Sequence, residues 1–215
     1  MEKLNVGQTK ELFLYIADSI IESKPFLTEI DSQIGDGDHG IGMAGGFEKA
    51  KEQLQEKDLK TINEIFSTTG MAMLNSMGGA SGVIFGTMFM SGVKGVAPSE
   101  YLELKTLSEI FANSLKAIKE RGKAQVGDKT MVDAFEPAVL SLRESADSSK
   151  SLLEALRLAE EAANAGVENT KNCIAKFGRA KSLLERAIGH QDAGATSTWI
   201  IFRSMREWVE RNGEC

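Results

Sequence analysis

The chain has 215 residues, 42% of them hydrophobic and 26% charged, and a formal net charge of -6. That length suits one large domain around a single core. The acidic balance excludes non-specific nucleic-acid binding, which needs a basic surface, but leaves room for a phosphate ligand held by local cations. The longest apolar runs, such as VIFGTMFM at 83–90, are too short to span a bilayer, and MEKLNVGQTKELF at the start lacks the apolar stretch of a signal peptide. The expectation is a cytoplasmic protein with neither a nucleic-acid nor a membrane partner. Cys173 and Cys215 form no metal-binding spacing and read as two reduced thiols.

Most segments place apolar residues three and four apart, the mark of amphipathic helices, and none alternates convincingly as a strand would. A first helix is predicted over 8–23, with Leu12, Leu14, Ile16, Ile20 and Ile21 on its apolar face and Pro25 ending it. An acidic, glycine-rich loop follows. A second helix starts at His39 or Gly40 and carries Met43, Phe47, Ala50 and Leu54 inward. Asp58 is placed to cap a third helix through Ile62, Ile65 and Met73, its carboxylate accepting from orphan amides. The run Gly78-Gly79-Ala80-Ser81-Gly82 precedes a very apolar fourth helix over 83–93.

Thr106 and Glu109 have capping-box spacing for a fifth helix over 107–121. After the loop GKAQVGDKT, Asp128 would cap a sixth helix carrying Val132, Phe135, Val139 and Leu142. Pro137 within it either kinks that helix or places its start later. Ser151 and Glu154 form a second capping box, opening a long alanine-rich helix to about residue 174. From 175 the chain reads as a glycine-punctuated loop with a short helical turn at 182–186, then a last helix over 195–211. The expected fold is all-α, a single domain over 1–215 with about eight helices. In an up-and-down bundle the glycine-rich junctions 35–46, 78–82, 122–127 and 178–194 include several that return to one end and converge on one ligand.

Asp31, Asp36 and Asp38 fall within eight residues among glycines, and His39, one of two histidines, directly follows. Packing gives no reason to crowd like charges, whereas a bound cation would remove the repulsion. Carboxylates suit magnesium, calcium or manganese, and magnesium commonly shares its shell with substrate phosphates. A helix starting after Asp38 would aim free amides at an anion, with His39 donating to the same anion. The bland alternative is an Asx-rich turn with a capping aspartate.

Three familiar motifs fail here. Gly35 to Gly40 spells GxGxxG, but the preceding pattern is helical and two aspartates inside the turn would repel a pyrophosphate. An EF-hand register puts Ile41 at the turn glycine and Phe47 at the closing glutamate. Gly122 to Thr130 misses a P-loop because Asp128 separates Gly127 from Lys129. The 78–82 run reads either as an anion nest using the Ser81 hydroxyl or as close helix packing. His190-Gln191-Asp192-Ala193-Gly194 reads as a polar site turn or an ordinary helix cap. Arg179, Lys123 and Lys129 are phosphate partners or solvated charges, and Met131 lies against an adenine ring or in the core.

Four pieces together, IGDGDHG at 34–40, GGASG at 78–82, RGKAQVGDKTMVD at 121–133 and GRAKSLLERAIGHQDAGATS at 178–197, resemble the nucleotide-binding L subunits of bacterial dihydroxyacetone kinases. They are also similar to the C-terminal domains of the fused ATP-dependent enzymes. The resemblance covers essentially the whole chain. It implies a closed barrel of eight antiparallel up-and-down helices with ADP or ATP at one end. It implies two magnesium ions on Asp31, Asp36 and Asp38. Nucleotide contacts would fall on His39, Gly40, Ile41, Gly42, Ala80, Ser81, Gly122, Met131, Arg179, Asp192, Ala193 and Gly194. Two positions depart from the family pattern: Gly42 replaces the usual asparagine and Ala193 a frequent proline.

The implied activity is phosphoryl transfer to dihydroxyacetone, held covalently on a histidine of a partner K subunit. The chain carries no fused K domain, which favours recharging by a phosphotransferase-system M subunit, driven by phosphoenolpyruvate, over exchange with free ATP. Alternatives are a kinase subunit for another short ketose such as erythrulose, or a non-catalytic nucleotide sensor that binds a transcription regulator. The oligomeric state is left open.

Overall fold

A computed structural model describes residues 2–213; the terminal Cys215 lies outside the described residues. Nine α-helices and one 3₁₀ helix are found among the described residues: α1 (Val6–Glu22), α2 (Lys24–Ile34), α3 (His39–Glu56), α4 (Ile62–Ser76), α5 (Gly79–Met90), α6 (Leu104–Gly122), α7 (Val132–Asp147), α8 (Leu152–Thr170), a 3₁₀ segment (Arg179–Ala187) and α9 (Ala193–Asn212). Each of α3 to α9 packs on its predecessor, and α1 closes the ring by touching both α3 and α9. Eight helices thus form a closed up-and-down barrel. The short α2 is not a stave; it lies across one end against α3, α9 and the 3₁₀ segment.

Phenylalanines from seven of the eight staves fill the ring. Phe13 meets Phe66 and Phe89 edge-on at 4.7 and 5.7 Å, Phe47 meets Phe89 at 6.1 Å, and Phe111 meets Phe66, Phe135 and Phe202 at 6.1, 5.6 and 5.6 Å. Edge-to-face contact suits the ring quadrupoles, so the interior is a continuous aromatic solid. The eighth stave, α8, contributes Ala155, Leu156, Ala159 and Ala163 instead. Small residues let it lie close to α7: a Cβ on Gly166 would stand 2.1 Å from the Asp133 carbonyl oxygen. That carbonyl is four residues before Pro137, which has no N–H to bond it. Pro137 therefore sits inside α7, and the helix start at Val132 is unaffected.

Several helix boundaries differ from the sequence reading, each for a local reason. Pro25 does not end a helical region but opens α2, where a first-turn proline loses no bond. Asp58 does not cap α4: it is exposed and paired with Lys60 at 2.6 Å. Thr61 is the cap, accepting from Glu64 N at 3.2 Å while Glu64 returns a bond to Thr61 N. Thr106 and Glu109 lie inside α6, which starts earlier because a strand runs straight into it. That strand, β2 (Tyr101–Glu103), pairs antiparallel with β1 (Lys3–Asn5), so two short strands exist where none was expected.

Asp128 is not the α7 cap; its carboxylate accepts from Gln125 N at 2.8 Å and pairs with Lys176 at 2.5 Å. Asp133, in the first turn of α7, ties down the preceding loop instead, accepting from Gly127 N at 2.7 Å and Thr130 N at 2.8 Å. Ser151 does cap α8, accepting from Glu154 N at 3.2 Å, but Glu154 turns to Lys150 rather than closing the box. α8 stops at Thr170, not near 174.

Candidate functional site

Alternation of the staves puts the N-termini of α3, α5, α7 and α9 at one end. The contacts show this directly. His39, first residue of α3, places Nε2 2.8 Å from the Ser197 hydroxyl on α9 and Nδ1 3.4 Å from the Ser81 hydroxyl on α5. A Cβ on Gly194 of α9 would lie 3.4 Å from that of Met131, the residue capping α7. Four helix N-termini share this mouth, each with the positive end of a dipole, which favours an anion there; α5 has no side-chain cap, whereas the first amides of α7 are taken by Thr130 and Met131.

The acidic cluster stands on its rim. Asp31 occupies the last turn of α2, and Asp36 and Asp38 the turn leading into α3. One carboxylate oxygen from each lies within 4.8 Å of the others. Asp31 accepts from the His39 amide at 3.2 Å, which fixes the junction between α2 and α3. The Asp38 carboxyl is held above the usual range by desolvation, then by the neighbouring Asp36 and Asp31. Three hard oxygen donors that repel one another are a donor set that fits magnesium. Arg179, reaching over from the 3₁₀ segment, pairs with Asp36 at 2.8 Å. Gln33, Asp36, Arg179, Ser182 and Leu183 line a shallow cleft of about 310 Å³ beside it.

The His39 ring has partners within the protein. It is buried between α5 and α9 with a hydroxyl on each nitrogen, and burial lowers its pKa to about 4, only partly opposed by Asp31. In this arrangement the side chain braces α3 against α5 and α9. Gly40 is likewise set by packing. A Cβ there would stand 2.4 Å from the Lys24 carbonyl oxygen and from the Thr28 hydroxyl, so α3 could not approach α2. Ile41 is exposed and Gly42 faces open space, as do Gly78 and Gly79, the latter at φ +69°.

The remaining predicted residues reach the same end by different routes. Ala80 and Ser81 form the first turn of α5, whose N-terminus has no side-chain cap. Gly122 ends α6 beside Ile84 of α5. Met131 is buried in the core, with Gly194 at its edge. Asp192 caps α9, its carboxylate accepting from Ala195 N at 2.7 Å, and burial pushes its pKa up to about 7. Ala193 is buried behind it. Lys123 is exposed in the left-handed region at φ +61°. Lys129 does not reach the rim at all: it is 2% exposed and its ammonium bonds backbone carbonyls. Ser197, buried and bonded to His39, is a partner the sequence reading missed. Its only signal was the hydroxyl run Thr196-Ser197-Thr198 just inside a helix whose other inward positions, Ser204 apart, are apolar.

Comparison with known proteins decides the family. Residues 33–207 match the model of the DAK2 domain. The chain belongs to the DAK2 domain family. This DAK2 domain is 41% identical over 180 residues to the PEP-dependent dihydroxyacetone kinase, ADP-binding subunit DhaL, of Escherichia coli, covering 84% of this chain and 86% of that protein. It is 35% identical to the PTS-dependent dihydroxyacetone kinase, ADP-binding subunit DhaL, of Lactococcus lactis, over 96% and 99% of the two chains. The L-erythrulose kinase of Pectobacterium atrosepticum is 31% identical over 87% of this DAK2 domain, which spans 32% of that longer protein. A solved structure of the dihydroxyacetone kinase from C. freundii, in complex with AMP-PNP and Mg2+, superposes with a TM-score of 0.71 at 24% identity, over 96% of this chain and 35% of that one. At that identity the likeness concerns the fold.

Proposed function

We propose that this DAK2 domain is the nucleotide-carrying subunit of a dihydroxyacetone kinase. It holds ADP or ATP with two magnesium ions and delivers the terminal phosphoryl group to dihydroxyacetone, carried covalently by a partner K subunit. The observation that carries this reading is the convergence of four helix N-termini beside a three-carboxylate rim. Helix N-termini suit the phosphates, and carboxylates suit the metal that neutralises them. Asp31, Asp36 and Asp38 would hold magnesium, which offsets phosphate charge and aligns the transferred group. Arg179 already stands at the rim, paired with Asp36 and 78% exposed at its side chain, so it is available to a phosphate.

Among the described residues no base for the acceptor hydroxyl is assigned. His39 has both ring nitrogens engaged, and His190 bonds Gln33 through Nδ1 at 3.0 Å. The chain's task is positioning and charge neutralisation, the main sources of catalysis in phosphoryl transfer. Full-length relatives named PEP-dependent and PTS-dependent favour recharging of bound ADP by a phosphotransferase-system M subunit. The names of the erythrulose kinases among the relatives keep a second short ketose as the specific alternative.

The test combines the purified chain with a K subunit and dihydroxyacetone, first with ATP and then with a phosphoenolpyruvate-driven relay. Turnover in the relay alone supports the proposal in full. Turnover with ATP alone removes the M subunit from it. Absence of turnover in both, with no ADP released on denaturation, overturns it. Replacing dihydroxyacetone by erythrulose decides between the two ketoses.

A further inference from the structure

Between α8 and α9 the chain makes a long excursion, residues 171–191, that carries Arg179 to the rim. This strap has almost no core of its own. Ala187 is the one buried residue of its 3₁₀ segment, and Leu184 within that segment is 64% exposed at φ +53°. What holds the strap is its neck. Gly189 N donates to the Lys171 carbonyl at 2.7 Å, and Asp192 N donates to the Thr170 hydroxyl at 3.0 Å.

A buried cation closes that neck. Lys129, from the loop before α7, donates from Nζ to the Thr170 carbonyl at 2.5 Å, where the strap leaves α8, and to the His190 carbonyl, where it returns. Thr170 is the last residue of α8, so the ammonium also meets the negative end of that helix dipole. The adjoining Asp128 grips the outgoing leg through its bonds with Lys176. Two costs show that the side chain is what this position requires. Burying an ammonium is unfavourable unless its donors are satisfied, and Lys129 holds its backbone at φ +60°, a region where glycine would be unstrained.

We propose that Lys129 is a positioning residue for the phosphoryl-transfer site: by tying both ends of the strap it sets where Arg179 and the first turn of α9 stand against the acidic rim. The inference rests on the proposed function for its consequence in nucleotide binding, but its effect on the strap is independent of it.

The test uses the full chain with Lys129→Met and Lys129→Arg. Three readouts apply: circular dichroism, the rate of tryptic cleavage at Arg179, Lys181 and Arg186, all exposed on the strap, and ADP affinity by calorimetry with magnesium. Lys129→Met is expected to keep its helical signal, to be cut about tenfold faster in the strap and to bind ADP about tenfold more weakly, while Lys129→Arg restores both to within about threefold. Wild-type rates and affinity in Lys129→Met would overturn the proposal. So would failure of every variant without a cation at 129, Lys129→Gln included, to fold, since the residue would then serve the fold and not the site. If the wild-type chain itself binds no ADP, the functional reading fails, and the protease arm still reports on the neck.

Discussion

His39 and Ser197 stand 158 residues apart in sequence and 2.8 Å apart in space. That bond, with the weaker one from His39 to Ser81, ties the first turns of three staves into one mouth. Ser197→Ala leaves a buried ring nitrogen without its partner, a loss of about 1–3 kcal/mol. Urea denaturation should show this drop, together with weaker ADP binding. An unchanged midpoint would mean the imidazole has found another partner.

The two most shifted groups at the mouth oppose each other across mildly acidic pH. The folded-state pKa of His39 is lowered to about 4, so the unfolded chain binds the proton more readily and stability falls as pH drops from about 6.5 towards 4. The folded-state pKa of Asp192 is raised to about 7, so stability rises as pH drops from about 7 towards 4. Each pH unit of such a difference is worth about 1.4 kcal/mol. In metal-free buffer the wild type should therefore show a shallow stability profile over this range. Asp192→Asn should lose stability on acidification, and His39→Gln should gain it. Parallel profiles for all three proteins would refute the assignment.

Asp36→Ala removes one donor from the carboxylate rim and the partner of Arg179. Both roles lie outside the core, since the Asp36 side chain is 40% exposed. Bound nucleotide, assayed by mass spectrometry of the denatured protein, should be lost while the helical circular dichroism stays near wild type. Retention of the nucleotide would show that the rim does not hold its metal.

Gly166→Ala places a propensity gain against a clash. Alanine improves a helix interior by about 1 kcal/mol over glycine. The new Cβ, however, would meet the Asp133 carbonyl oxygen at 2.1 Å, backbone that cannot rotate away. Overpacking of that kind costs about 1–3 kcal/mol, so a net loss is expected in thermal denaturation.

Gly42→Asn is the opposite case, because nothing lies within 4 Å of an added Cβ there. It should fold at least as well as the wild type, since asparagine is a few tenths of a kcal/mol better than glycine in a helix. A side chain at the rim should then tighten magnesium-nucleotide binding. Weaker binding would show that the open space belongs to the ligand.

The sequence made the staves legible because each has one apolar stripe, as on α3 with Met43, Phe47, Ala50 and Leu54, all buried. It made the acidic rim legible because crowded aspartates need a reason. Helix starts were less legible. Asp58 and Thr61 are both good caps three residues apart, and only the antiparallel pairing and the loop at Ser99, whose carbonyl accepts from Ile62 N at 2.8 Å, select the second. The protein partners of His39 and Lys129 were illegible for a common reason. A polar side chain beside a glycine-rich turn looks like a ligand contact until its partners, Ser197 in one case and two carbonyls in the other, arrive from distant elements.

The aromatic solid inside the ring has a kinetic consequence. With phenylalanines from seven staves closing the interior, the described residues pack the barrel shut, and on the proposed function a phosphoryl group at the mouth is approached from that end. On the proposed function, the protein that charges the nucleotide and the protein that receives its phosphoryl group must take turns at one doorway. Each should then inhibit the other competitively, and initial-rate plots should be parallel, as in a double-displacement reaction.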